Sequence, residues 1–175
     1  MTQLLTTAER QVLTMTQRQI PAMTEYAEIL RGVVNWKAWF AMCKNTENNL
    51  NTPTDRFIKG TLREQGLDVF SNGRLTHVNE EGRDNRDNIL NLDIEFKTTK
   101  VRTGTGRIPS FIKARLKNTM GDNATGEIGN PADVYMFGNC KGIVICDYQT
   151  MRPYLYQTND ALSCKIPYNI VTPVI

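Results

Sequence analysis

Apolar residues recur at helical spacing over the first third of the chain and at alternate positions over much of the remainder, which predicts helices first and a sheet after them. Thr6-Thr7-Ala8-Glu9 is a capping box, in which the threonine hydroxyl and the glutamate carboxylate satisfy reciprocal backbone donors. The helix that it opens is expected to end near Ile20-Pro21. A second fits Pro21 to Arg31 and stops at Gly32, and a third carries Trp36, Trp39, Phe40 and Met42 as an aromatic stripe that reads as core or dimer contact. Asn45 to Asn51 reads as a linker. Thr52-Pro53-Thr54-Asp55 opens a fourth helix, with proline at its first position. Phe57, Ile58 and Leu62 share one face of it, and Gly66 is expected to close it.

Beyond Gly66 the period changes. Leu67 to Phe70 and Arg74 to Val78 alternate on either side of Ser71-Asn72-Gly73, which predicts a β-hairpin. Ile89 to Thr99 alternates as a strand, with Leu92, Ile94 and Phe96 on one face and Asp93, Glu95 and Lys97 on the other. Gly104 and Gly106 mark a loop. Pro109 to Asn118 reads as a helix with Phe111, Ile112 and Leu116 toward a core. Gly121 to Pro131 reads as a loop. Val134 to Phe137, Gly142 to Asp147 and Pro153 to Gln157 read as short strands. This order implies an α/β fold, a mixed sheet with helical cover. A helical region over 1–50 that supplies dimer contacts would precede a core over 51–175.

Composition narrows the chemistry. The chain has 175 residues, 40% of them hydrophobic and 22% charged, values of an ordinary globular domain. No apolar run is long enough for a membrane span, and the N-terminus lacks a basic-then-apolar leader, so a cytoplasmic protein is expected. The four cysteines form no C-x-x-C pair and His77 is the sole histidine, which excludes zinc ribbons and Cys/His metal hydrolases. A nucleophilic triad would have to use His77, which no neighbouring motif supports; an ordinary surface or core histidine is expected there. Hydrolytic chemistry would therefore run on carboxylates, lysine and an oxygen-liganded metal.

Charge is uneven. The chain carries +3 overall, yet Lys97 to Gly121 holds seven basic residues (Lys97, Lys100, Arg102, Arg107, Lys113, Arg115, Lys117) and no acid, which leaves −4 for the rest. One concentrated basic segment on a mildly acidic body points to a polyanion bound along one face. At its start lies Glu95-Phe96-Lys97. On a strand, Glu95 and Lys97 face one site while Phe96 anchors the core. Eleven residues before Glu95 stands Asp84, in Glu80-Glu81-Gly82-Arg83-Asp84, which could converge with Glu95 across a hairpin. Two carboxylates, a carbonyl and waters make a hard-oxygen site suited to Mg²⁺. Lys97 beside it would orient a water and offset charge on a pentavalent phosphate. An ion-paired strand, with Asp84 capping a turn, accounts for the same spacing.

In order, an acid, ten residues, Glu-x-Lys on a strand and then a basic loop, this chain resembles the PD-(D/E)xK nucleases, and within them the small type II restriction endonucleases. The shared stretches are Glu81-Gly82-x-Asp84, Glu95-x-Lys97, an apolar-basic segment opening at Pro109, and a helix ending Gly66-Leu67 with Val69 following. Together they span about Asp55 to Asp147. One extra residue separates Asp84 from Glu95, and Arg83 stands where part of the family has proline, so Asp87 and Asp93 remain alternatives to Asp84.

The resemblance implies a restriction-endonuclease-like mixed sheet flanked by helices, with Asp84 and Glu95 as Mg²⁺ ligands and Glu81 as an outer or second-metal acid. It implies that Lys97 acts on the attacking water, and that the Lys97–Pro109 loop enters a DNA groove. That loop offers Lys100, Arg102, Thr103, Thr105 and Arg107 for base contacts, while Lys113, Arg115 and Lys117 suit phosphates. The expected activity is site-specific hydrolysis of double-stranded DNA to 5′-phosphate and 3′-hydroxyl ends. A homodimer would cut both strands, and a cognate DNA methyltransferase would protect the host. A structure-selective nuclease on the same core and a non-enzymatic DNA-binding protein are the alternatives.

Overall fold

The computed structural model describes residues 4, 6, 7, 9, 20–49, 53–80, 82–101, 107–118, 128–158 and 160–175, with side chains throughout except at 47–49, 53–59, 117 and 118. The expectations for Glu81, Arg102, Thr103 and Thr105, and for the Lys117 side chain, lie outside the described residues. Three helices come first, α1 (Met23–Val33), α2 (Trp36–Asn49) and α3 (Pro53–Val69). Then follow β1 (Leu75–Glu80), β2 (Arg83–Asp87), β3 (Leu92–Thr98), β4 (Phe111–Asn118), β5 (Val134–Asn139) and β6 (Gly142–Asp147). A short helix α4 (Tyr148–Met151) and a 3-10 turn lead to β7 (Leu155–Gln157), β8 (Ala161–Pro167) and β9 (Thr172–Pro173). The fold is mixed α/β, with four α-helices among the described residues.

Six strands form one sheet in the order β1-β2-β3-β5-β6-β9, antiparallel except where β3 runs parallel to β5. Three form a second sheet, β4-β8-β7. Alternation along each central strand divides its side chains between two cores. Leu92, Ile94, Phe96, Val134, Met136, Ile143 and Ile145 meet helices α1 to α3. Tyr135, Phe137, Val144 and Cys146 face the other way, onto Ile112, Leu116, Cys164 and Ile166 of the second sheet. The six-stranded sheet is thus a middle layer between helices and a smaller sheet. Asp93, Glu95 and Lys97, the polar set of β3, lie on the face away from the helices.

The aromatic stripe of α2 is core. Trp39 is fully buried and stacks edge-on against Phe96 of β3, with ring centroids 5.9 Å apart. Its indole donates to the Arg63 carbonyl of α3 at 3.1 Å. Dimer contacts from the N-terminal region would have to come from other residues. The capping box is present, with the Thr6 amide donating to Glu9 Oε2 at 2.6 Å and the Glu9 amide to Thr6 Oγ1 at 3.2 Å. The same carboxylate is buried against Arg74, which also pairs with buried Asp87, and Tyr26 donates to Asp87 at 2.8 Å.

Five local expectations differ from the structure. Pro109–Asn118 is not a helix: from Phe111 it is strand β4, because Ile112, Ala114 and Leu116 alternate inward and pair with β8. Leu67–Phe70 is not a hairpin arm, since α3 continues through Val69. Gly66 lies inside that helix, where Trp39 and Met42 of α2 cross it, and an added Cβ would fall 2.7 Å from Met42 Cε. Asn72 and Gly73, with φ of 52° and 78°, instead end the helix, and the Gly73 amide donates to the Asp68 carbonyl at 2.9 Å. Asn45 to Asn49 belongs to α2 rather than to a linker. Of Pro153–Gln157, only Leu155 to Gln157 is strand.

Candidate active site

The site is built where two antiparallel strands separate. β2 and β3 are in register from Asp87 opposite Leu92 to Asn85 opposite Ile94. At the next step the Phe96 amide donates to Asp84 Oδ2, at 2.6 Å. A side-chain carboxylate thus takes a backbone donor at the mouth of the ladder, which holds Asp84 against β3. Glu95, two residues before Lys97 on one face of β3, is buried, and its Oε1 lies 2.8 Å from Lys97 Nζ. Phe96 between them points into the helical core, as the alternation requires.

Helix α3 brings a third acid that the sequence did not reveal. The fully buried Asn85 carboxamide donates to the carbonyls of Glu64 and Leu75, each at 2.9 Å, and so pins α3 to the sheet at Glu64. Glu64 and Asp84 line an open cleft of about 570 Å³ with Gly60, Thr61, Gln65, His77, Asn79 and Glu80. His77 is also positioned, because its amide donates to Asp68 Oδ2 of α3 at 2.8 Å. Its Nδ1 stands 3.9 Å from Glu64 Oε2. The histidine expected to be ordinary therefore faces the cleft. The sequence pattern places Glu64 on a helix and His77 on a strand, as found, but no motif marks either; contacts with Asn85 and Asp68 bring them to the cleft.

The acids act on one another. Burial, then the charge of Asp84, pushes Glu64 up from 4.5 to about 7, with Lys97 opposing and Glu95 adding to the rise. Burial likewise raises Asp84; the Phe96 amide counters it, the Glu95 charge adds to it, and Lys97 and His77 oppose it. Tyr135, opposite Glu95 in the parallel β3–β5 register, has its phenol raised by burial and then by Glu95, so it stays neutral. Three carboxylates under mutual repulsion with one ammonium among them favour either proton uptake or a cation.

The donors are hard oxygens, which fit Mg²⁺. Among the described residues no three Asp, Glu, His or Cys side chains stand ready as a ligand set. Glu95 is turned to Lys97 and Asp84 to the Phe96 amide, so a cation would draw Glu95 in competition with Lys97.

The two alternative acids are engaged elsewhere. Asp87 accepts from Tyr26, from Arg74 and from the amides of Ile89 and Leu90. Asp93 pairs with Arg83 at 2.8 Å and Arg86 at 3.2 Å. Asp84 instead accepts from the Phe96 amide of β3 and feels the Glu95 charge. Of the basic set, Lys100 and Arg107 are exposed at the ends of the 102–106 segment, and Lys113 and Arg115 are exposed on β4. β4 is tied to the site through Thr99, whose hydroxyl donates to the Lys113 carbonyl at 2.6 Å.

Among the described residues no helix is long and apolar enough to cross a membrane. No protein-family model, no curated protein and no solved structure matches this chain.

Proposed function

We propose that this protein is a Mg²⁺-dependent DNA endonuclease of the PD-(D/E)xK type, with a restriction-endonuclease-like core, that hydrolyses double-stranded DNA at a short specific sequence. What supports the reading is that Asp84 accepts the amide of Phe96, the residue between Glu95 and its ion-paired Lys97, at the open end of the β2–β3 ladder, where the seven-cation segment begins.

Asp84 and Glu95 would hold the ion, with Glu64 beside them; Glu81 is the further acid that the resemblance implies. Bound there, Mg²⁺ would polarise the phosphodiester and lower the pKa of water. Lys97 orients the attacking water through its ammonium and offsets charge that builds on the phosphate oxygens. Burial of Glu95 makes its hold on Lys97 firm, because a charge pair shielded from solvent is screened little by salt. Residues of helix α3 and strand β1 line the cleft beside Asp84. Lys100, Arg102, Thr103, Thr105 and Arg107 are the proposed groove-reading set, and Lys113, Arg115 and Lys117 the proposed phosphate set. Attack by water with departure of the 3′-oxygen leaves 5′-phosphate and 3′-hydroxyl ends. Cutting both strands of a palindrome requires two such sites related by a two-fold axis, hence a homodimer. A cognate methyltransferase acting on the same DNA sequence completes the proposal.

Incubating the protein with a mapped plasmid, with Mg²⁺ and with EDTA, tests it. Discrete fragments that need Mg²⁺ are expected, and sequencing their ends gives the cut position. Intact plasmid under Mg²⁺ across a panel of sequence-diverse DNAs contradicts the proposal.

A further inference from the structure

Because Phe111–Asn118 is a strand and not a helix, alternate residues of it share a surface. On β4 the outward residues are Phe111, Lys113 and Arg115, while Ile112 and Leu116 enter the inter-sheet core. The antiparallel register sets Lys113 directly opposite Lys165 and Arg115 opposite Ser163, and β7 adds Tyr156 opposite Ser163. The outer face of the small sheet thus gathers Lys113, Arg115 and Lys165 with two exposed aromatic rings, Phe111 and Tyr156. Lys165 belongs to no motif in the sequence.

Like charges directly opposite on one sheet face repel and destabilise it. Among the described residues neither Lys113 nor Lys165 meets a carboxylate. The Lys165 ammonium lies instead over the Phe111 ring, 4.6 Å from its centroid. Arg115 pairs with Asp160 at 2.6 Å, but this pair is open to solvent and is weakened by salt. Such a face is electrostatically incomplete. A second copy of the chain placed on it by a two-fold axis would oppose the same cations, so the face calls for a polyanion.

We propose that the outer face of the β4-β8-β7 sheet, centred on Lys113, Arg115 and Lys165, binds the sugar-phosphate backbone of duplex DNA next to the candidate active site. The proposal rests on the reading of this chain as a DNA-acting protein. Lys113 and Arg115 are one two-residue strand step apart, roughly 6.7 Å, close to the step between successive phosphates of a nucleic-acid strand. Continuity with the site comes from the Thr99 hydroxyl, two residues beyond Lys97, which donates to the Lys113 carbonyl.

The test is fluorescence anisotropy of a labelled duplex with the full chain in EDTA, so that no cleavage is required, over a salt series. Lys113→Gln with Lys165→Gln is expected to weaken binding roughly tenfold or more near 0.1 M salt and to flatten the salt dependence by about one unit of log–log slope for each phosphate left unneutralised. Its melting temperature should hold or rise, because a repulsive pair is removed. Wild-type-like affinity and slope in the double variant overturn this proposal alone. Absence of duplex binding by the wild-type chain overturns it together with the DNA reading. Preference of the wild-type chain for single-stranded DNA of equal length overturns the assignment to duplex.

Discussion

Asp84 accepts the Phe96 amide at 2.6 Å one step beyond the last β2–β3 register pair, so one carboxylate both ends the ladder and feels the Glu95 charge. The two roles separate by substitution. Asp84→Asn keeps an acceptor for the Phe96 amide but removes the negative charge. The fold should survive, with a melting temperature within a few degrees of wild type, while Mg²⁺-dependent cleavage falls by more than about 100-fold, the upper range for groups that only support a metal ligand. Thermal melting and plasmid cleavage measured on one preparation check it. Retained cleavage would remove Asp84 from the site.

Glu64 gives the protein a pH signature. Its folded pKa, about 7, lies above the usual 4.5, so the folded state favours the neutral acid. The stability this confers is complete below about 4.5 and is lost as pH rises through about 7. In EDTA, Glu64→Gln should therefore gain melting temperature over wild type at about pH 8 and lose that advantage at about pH 5. Mg²⁺ should reduce the gap at the higher pH, since a cation offsets the charge on the wild-type acid. A gap independent of pH contradicts the assignment.

Arg74 joins three elements through buried charge, pairing with Glu9 near the N-terminus and with Asp87 at the end of β2, while Tyr26 of α1 donates to Asp87. Removing one partner of such a network leaves a charge buried without compensation. Asp87→Ala should cost about 3–5 kcal/mol, a fall of roughly 10 °C in melting temperature. Tyr26→Phe should cost less, about 1.5–3 kcal/mol, the loss of one hydrogen bond to a charged group. Equal losses in the two variants would show that the phenol, not the charge pairing, holds α1.

The β3 face pattern was legible because strict alternation admits a single placement of Leu92, Ile94 and Phe96, and Glu95 and Lys97 follow from it. The capping box at Thr6 was legible for the same local reason. Elements decided by tertiary partners were not. Phe111-Ile112-Lys113-Ala114-Arg115-Leu116 satisfies a helical and a strand pattern alike, and pairing with β8 selects the strand. Gly66 reads as a helix stop, yet it is small because Trp39 and Met42 cross α3 there. Glu64 and His77 carry no motif. They enter the cleft through Asn85 and Asp68, contacts over 21 and 9 residues that no local spacing records.

The ammonium held 2.8 Å from Glu95 is proposed to act on the reaction rather than only to neutralise that carboxylate. Plasmid cleavage in Mg²⁺ by wild type and by Lys97→Ala, matched for duplex affinity in EDTA, tests it most directly. Discrete fragments are expected from the wild type, and a loss of at least about 100-fold in cleavage rate for the variant, with binding little changed. Equal cleavage by both proteins would contradict it.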